Sequence, residues 1–291
     1  MMGEQLAPRL EVCYVKRMLL ENQEVMYLCC DGYKTLAYLN MNLLLLRETD
    51  FVTATSVEIG GERARHMIEA GHARIGRVLT VGLVSGVLGK AEVSEATEDR
   101  VFLNVELGDE ITQPIALHWI VALPRPQILK KVLQLAGMLR VQSVHFTRSE
   151  GVEKSYFASP MTNAENIQRE LEIGMSQSVS TYLPKVTLYN RFLDLVSNSL
   201  VMSCSEGVSL LAHTKNARTL SQISKECCFS KVPRITLAIG PERGWNDFEC
   251  EQFIKNGFQA CSLGEPVLRV ENAVCYLTAQ VLLLKELSLN C

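Results

Sequence analysis

Ile235-Thr-Leu-Ala-Ile239 runs directly into Gly240-Pro241-Glu242-Arg243-Gly244. Further on, Phe258 to Leu263 runs into Gly264-Glu265-Pro266-Val267-Leu268-Arg269-Val270-Glu271-Asn272. Each begins as a short apolar run of strand length and breaks on glycine and proline. Between them, Asn246-x-x-Glu249 has the form of a capping box opening a helix that carries Cys250, Phe253 and Ile254 on one face and ends at Gly257. After the second loop, Ala273, Leu277, Val281 and Leu284 keep helical register. Strands alternating with helices predict a parallel sheet flanked by helices. In such sheets ligands bind beyond the carboxyl ends of the strands, where both glycine loops fall. Glycine lets the backbone approach a ligand and present its N–H and C=O groups. Strand-to-helix turns also carry glycine for structural reasons, and spacing alone leaves both readings open. The chain has no G-x-G-x-x-G and no Walker loop, so a phosphate cradle is not indicated.

The same alternation extends upstream. Ile115 to Leu123 reads as an apolar strand bounded by Pro124 and Pro126, and Ile128, Val132, Leu135 and Leu139 follow at helical spacing. Val141 to Thr147 and Ser209 to His213 read as further strands, and Thr162-x-x-Glu165 as a capping box opening a helix to about Ser180. Before Pro114 the texture is short and β-like. Thr53 to Ile59, Arg77 to Gly82 and Val101 to Val105 are strand-sized, glycines punctuate them, and Glu62 to Ala70 is a helical insert. The expectation is an α/β domain over 115–291 preceded by a small β-barrel over 41–114. Residues 1–40 read as an extension ahead of a start at Met41, or as a first hairpin; Glu4, Glu11, Glu21, Glu24 and Asp31 make a transit peptide a poorer fit.

Composition narrows the class. With 47% apolar residues in 291, a core forms without staples, and a net charge of −3 excludes attachment to nucleic acid by bulk charge, though not a local basic face. The ten cysteines form no C-x-x-C pair and no zinc spacing, so the expectation is free thiols in a reducing compartment and no metal. No signal peptide is evident, and Met41 to Arg47 is too short to span a bilayer, so a cytoplasmic protein without a membrane partner is expected.

Residue identities sharpen the reading. Leu237-Ala-Ile-Gly-Pro-Glu-Arg-Gly244, Gly257-Phe258, Ser262-Leu-Gly264 and Val267-Leu-Arg-Val-Glu271 resemble the terminal motifs of the RsmE-type ribosomal RNA (uracil-N3) methyltransferases, members of the SPOUT superfamily. Glu62-x-x-Arg65-His66-Met67, Ala122-Leu-Pro-Arg125, Val152-Glu-Lys-Ser155 and Leu183-Pro-Lys-Val186 fall in the same order upstream, so the likeness runs from about Met41 to the end. The resemblance implies a PUA-like barrel, an α/β domain closed by a trefoil knot, a homodimer, and S-adenosylmethionine as cofactor. It implies methylation of uridine N3 in small-subunit ribosomal RNA, or in the assembling small subunit. Carried over by position, the cofactor wall is Leu211, Ala212, His213, Ile239, Gly240, Pro241, Glu242, Gly244, Ser262, Leu263, Gly264, Val267 and Leu268.

Uracil N3–H is a weak acid, so transfer needs a base or a stabiliser of the uracil anion. Arg269 is the candidate stabiliser, and Glu271 or Glu242 the candidate to orient it or to accept the proton; a structural Arg269–Glu271 ion pair is the alternative. Arg65, His66, Arg74, Arg125 and Lys154 are candidate RNA contacts. His72 reads as a surface residue, His118 and His145 as core, and Trp245 as a possible flank for a base. Arg243 stands where the family usually has glycine, Val270 and Asn272 where it has threonine, and Met138 and Ser176 where it has glutamate. Arginines of the family pattern near His72, Gly151 and Val179 are missing. Two other readings remain: a non-catalytic RNA-binding or ribosome-assembly protein, and an enzyme acting on another RNA or base atom.

Overall fold

The computed structural model describes residues 42–202, 207–214 and 217–288, with the short segments Leu19–Leu20 (β1) and Gln23–Glu24 (β2). The expectation for residues 1–40 falls outside the described residues, apart from β1 and β2, which pair antiparallel. The rest, from Asn40 onward, is one compact unit.

That unit holds two sheets. Leu44–Leu46 (β3), Ser56–Gly60 (β4), Val78–Leu83 (β5), Val87–Ala96 (β6) and Arg100–Ile111 (β7) form a five-stranded sheet in the order β3-β5-β6-β7-β4. Helix α1, Gly61–Glu69, packs Ala64 and Met67 into its core with Val57, Ile59, Val81 and Leu103. Strands β6 and β7 are longer than the apolar runs suggested, because their outer halves alternate with Lys90, Glu92 and Glu106.

The second sheet has seven parallel strands. Ile115–Ala122 (β8), Val141–Thr147 (β9), Lys185–Tyr189 (β10), Gly207–Ala212 (β11), Arg218–Thr219 (β12), Arg234–Ile239 (β13) and Gln259–Ser262 (β14) lie in the order β10-β9-β8-β13-β11-β14-β12. Inner strands covered on both faces need continuous apolar runs, which β8, β11 and β13 supply through Leu117, Trp119, Val121, Leu210, Leu237 and Ile239. Strand β10 lies at the edge with a mixed pattern, and no apolar run announced it.

Helices α2 (Pro126–Met138), α3 (Lys154–Phe157), α4 (Ala164–Gln177), α5 (Phe192–Val196), α6 (Ser199–Met202), α7 (Leu220–Ile223), α8 (Asp247–Lys255) and α9 (Val270–Leu287) complete the unit. Pro126 at the first helical position of α2 gives up no hydrogen bond and sets φ for the turn. Helices α2 and α4 meet backbone to backbone: a Cβ on Gly137 would overlap the Leu171 carbonyl, and one on Gly174 the Gln134 carbonyl. The expected capping box at Thr162 is not what forms. Thr162 Oγ1 donates to the Phe157 and Ser159 carbonyls, and α4 starts from Asn163. The capping box at Asn246 does form: Asn246 Oδ1 accepts from Glu249 N at 2.7 Å, and Glu249 Oε2 accepts from Asn246 N at 3.0 Å.

The two sheets share a small apolar seam of Leu43, Leu45 and Met175. Thr181 Oγ1 donates to Gly86 O at 2.7 Å, Ser85 N donates to Thr181 O at 2.7 Å, and Arg47 pairs with Glu172 across the seam.

Candidate active site

Strand order reverses beside β8. The chain first proceeds outward through β9 and β10, and β13 then returns to β8's other side. Loops leaving the two neighbours diverge at such a switch point, and a crevice opens at their carboxyl ends. A cavity of about 500 Å³ occupies that place, lined among others by Arg125 and Lys131 from the start of α2, Glu242 after β13, and Arg269 and Glu271 at the start of α9. The three candidate catalytic residues therefore line one cleft.

The turn beside it is set by local chemistry. Gly244 N donates to Pro241 O at 2.7 Å, closing Pro241–Gly244 into a tight turn. The left-handed backbone falls on Gly244, at φ +77°, and not on Arg243. Arginine is therefore tolerated where the family pattern has glycine, and its side chain lies at the surface. Gly240 is needed for close approach, since a Cβ there would come within 2.9 Å of Trp245 N. Trp245 itself is buried, its ring 5.0 Å from Phe253, which corrects the expectation that it flanks a base. Glu249 anchors the turn from below: its carboxylate also accepts from Ser149 Oγ at 2.9 Å and Glu150 N at 3.0 Å.

The other loops of the proposed cofactor wall are neighbours by register. Ala212 pairs with Cys261, and His213 N donates to Cys261 O at 3.0 Å, so the loops after β11 and β14 leave side by side. The His213 ring meets Cys250 of α8, Nε2 to Sγ 3.8 Å, and burial pushes that thiol above its ordinary range. Gly264 has φ +102°, and its N–H donates to Ser262 Oγ at 3.2 Å. Leu211 and Ile239 are packed in the core, so only their backbones can face a ligand, whereas Val267 is 90% exposed.

Charge in the cleft is unevenly satisfied. Glu242 Oε1 lies 3.7 Å from Arg125 Nε, and both side chains are largely exposed. Glu271 is 7% exposed; its Oε1 lies 3.4 Å from Lys131 Nζ, and its Oε2 is buried with no hydrogen-bond partner among the described residues. The alternative of an Arg269–Glu271 ion pair is not what forms. Arg269 is exposed at the N-cap of α9 with no ion pair among the described residues. Lys131 and Tyr156 were missed as site residues. The Tyr156 phenol is pushed above its ordinary range by loss of solvent, then by the Glu153 and Glu242 carboxylates, with Arg125 opposing, which puts it within electrostatic reach of the cleft.

The candidate RNA contacts divide. Arg125 is in the cleft, and Lys154 starts α3, two residues from Tyr156. Arg65 and His66 lie exposed on α1 and Arg74 on the following loop, beside the five-stranded sheet and not in the cleft lining. Arg63 and Arg77 are used internally, on Asp50 and on the Gly71 carbonyl. His72 is 3% exposed, which corrects its surface reading.

The RNA methyltransferase domain family matches residues 112–282. Ribosomal RNA small subunit methyltransferase E of Treponema pallidum is 30% identical over 247 residues, 83% of this chain and 91% of its own length. The chain belongs to the ribosomal RNA small subunit methyltransferase E family. Within that family, the E 1 protein of Borreliella burgdorferi is 21% identical over 80% of this chain and 94% of its own. The Neisseria gonorrhoeae member, solved with S-adenosylmethionine bound, superposes with a TM-score of 0.67 at 20% identity, over 83% of this chain and 98% of its own. A Legionella pneumophila protein, also solved with that cofactor, gives 0.68 at 19% identity, over 83% and 96%. These two structures establish the shared mixed α/β fold.

Proposed function

We propose that this chain methylates N3 of a uridine in small-subunit ribosomal RNA, with S-adenosylmethionine as the methyl donor. The observation that carries the reading is the cleft, which sets Arg269, Glu271 and Glu242 around one cavity at the carboxyl edge of the sheet.

The residues present fit the cofactor. Gly244 and Gly264 hold left-handed backbone in the loops after β13 and β14, the two strands that flank β11, and the large apolar side chain of Val267 lies uncovered on the second of these loops. Ala212, His213, Gly240, Pro241, Glu242, Gly244, Ser262, Leu263, Gly264, Val267 and Leu268 would hold it, with Leu211 and Ile239 contributing backbone. When bound, the cofactor supplies a methyl carbon whose bond to sulfur breaks as the bond to nitrogen forms. Much of the protein's share is positioning. Arg269, exposed at a helix start and without an ion pair among the described residues, donates to a uracil carbonyl oxygen that gains negative charge. A carboxylate of the cleft takes the N3 proton. Arg65, His66, Arg74, Arg125 and Lys154 contact phosphates and fix the register of the RNA.

Finer points belong to the same reading. Strand β14 lies between β11 and β12, so the connection from β11 to β12 crosses the last strand, which supports a knotted chain end. The sheet within 41–114 acts as a PUA-like barrel domain for RNA, and 115–291 as the methyltransferase domain. Tyr276, Leu283 and Leu287 lie exposed on one side of α9, which supports a homodimer.

The test uses the full chain, labelled S-adenosylmethionine and small-subunit RNA from cells lacking the gene. Label in N3-methyluridine is expected. Label elsewhere redirects the reading to another base atom, and failure to bind the cofactor in calorimetry overturns it in favour of a non-catalytic RNA-binding or assembly protein.

A further inference from the structure

We propose that Glu271 is the proton acceptor of the cleft and that Lys131 is its positioning residue. The inference rests on the reading above and assigns roles within the same site.

The two carboxylates differ in kind. Glu242 is exposed, and its partner Arg125 is exposed with it. An ion pair in that setting is screened and makes and breaks easily. Glu271 is nearly buried at the first turn of α9, and Lys131 is the cation it meets. The α9 N-terminus favours its negative charge. One of its oxygens is shut away without a partner among the described residues, so the Lys131 ammonium on the other is the main compensation for a desolvated charge. Natural structures rarely leave a buried carboxylate oxygen unpaired, and a reactive role is one reason they do.

The groups facing Glu271 come from each element at the cleft. Lys131 belongs to α2 and Arg125 to its N-cap, Glu242 to the turn after β13, and Arg269 to its own helix start. Of these, Lys131 is the one within ion-pair distance, at 3.4 Å. Its own side chain is 57% exposed, so its loss removes little packing. An imide with its N–H between two carbonyl oxygens matches this arrangement. The carboxylate accepts from N–H, and Lys131 and Arg269 stand beside it to donate to the flanking oxygens. Cytosine reverses the pattern at N3 and at the exocyclic position. In the step itself the N3 proton passes to the Glu271 carboxylate, the nitrogen keeps the electron pair, and the proton later leaves to water.

Two measurements on the full chain test this. The first is binding, without turnover, of an oligouridylate decamer and of the same decamer carrying N3-methyluridine. Wild type is expected to prefer the unmethylated RNA about tenfold, the worth of one charge-assisted hydrogen bond. Lys131→Gln and Glu271→Gln should abolish the preference, and Lys131→Arg should keep most of it. The second is single-turnover methylation. Lys131→Gln should lower kcat about 100-fold with little change in KM and be rescued by Lys131→Arg. Equal wild-type affinity for the two decamers, or a Lys131→Gln enzyme with unchanged kcat, overturns the proposal. An inactive wild type that still discriminates the decamers refutes the methylation reading and the proton transfer with it, and keeps Glu271 only as the acceptor that recognises N3–H. Thermal melting of Glu271→Gln, isosteric with the native side chain, separates loss of the base from loss of fold.

Discussion

Two polar assemblies sit in the same parallel sheet and could hardly differ more. One is a chain of neutral hydrogen bonds across β8, β9 and β10. His118 Nδ1 meets Ser143 Oγ at 2.8 Å, Ser143 Oγ meets His145 Nε2 at 2.8 Å, Tyr189 Oη meets His145 Nδ1 at 3.4 Å, and Asn198 Nδ2 donates to Tyr189 Oη at 2.9 Å. Each member has a partner, with Ser143 and His145 buried and His118, Tyr189 and Asn198 partly exposed. The other is the cleft, where charges are paired at long range or not at all. A satisfied buried network holds a unique packing. A charged cluster with an unpaired arginine and a buried orphan oxygen costs stability and persists where function needs it. The difference teaches which polar residues to assign to structure and which to chemistry, within one fold and without reference to residue type.

The comparison can be broken from either side. The largest expected effect is in the cleft: Arg269→Ala should lower kcat about 100- to 1000-fold, the usual loss for one donor to a developing oxyanion. The same variant should melt within a degree or two of wild type and bind S-adenosylmethionine normally, because Arg269 carries no ion pair among the described residues. A large fall in Tm would move Arg269 to the structural side.

Acid should strike the histidine network instead. Burial, and then the Arg234 charge, push both imidazoles down to about 4, His118 being further lowered by His145. Unfolded, each titrates near pH 6.5, so between those values the unfolded chain binds more protons. The contribution is complete above about pH 6.5 and is lost as pH falls toward 4. Because His118 is partly exposed and the two rings interact, roughly 2–3 kcal/mol for the pair is a fair expectation. Urea unfolding at pH 7.5 and pH 4.5 measures it, and replacing both histidines by glutamine should flatten that interval. Unchanged acid sensitivity in the double variant would place the origin elsewhere.

The smallest effect sharpens the boundary. Arg125→Ala removes an exposed pair and should change stability by less than about 1 kcal/mol. It should raise KM for RNA about three- to tenfold with kcat little altered, if Arg125 positions a phosphate at the mouth. A fall in kcat comparable to that of Arg269→Ala would make Arg125 part of the chemistry.

Adjacent lysines show why part of the site was hidden. Lys130 and Lys131 are indistinguishable in the sequence, each opposite the apolar face of α2. Packing sends Lys130 to Glu170 of α4 and Lys131 to Glu271 of α9. Helical rotation and the placement of two other helices decide that, and no local pattern encodes it. Trp245 and His72 were misplaced for a related reason. Their neighbours suggested exposure, while burial depended on Phe192 and Phe253 in one case and on the turn after α1 in the other.

What the sequence determined by itself was local. The apolar runs of β8, β9 and β13, the Asn246–Glu249 cap and the glycine turn after β13 each follow from chemistry within a few residues, and the order of motifs around Gly240 and Arg269 carried the family. What only the tertiary structure decided was partnership. Strand order brought Glu242 beside Arg125, and the meeting of α2 with α9 brought Lys131 to Glu271. Hydrogen bonds within a turn are dictated by adjacent residues, whereas an ion pair between residues 131 and 271 exists only once the whole sheet has set where the helices cross.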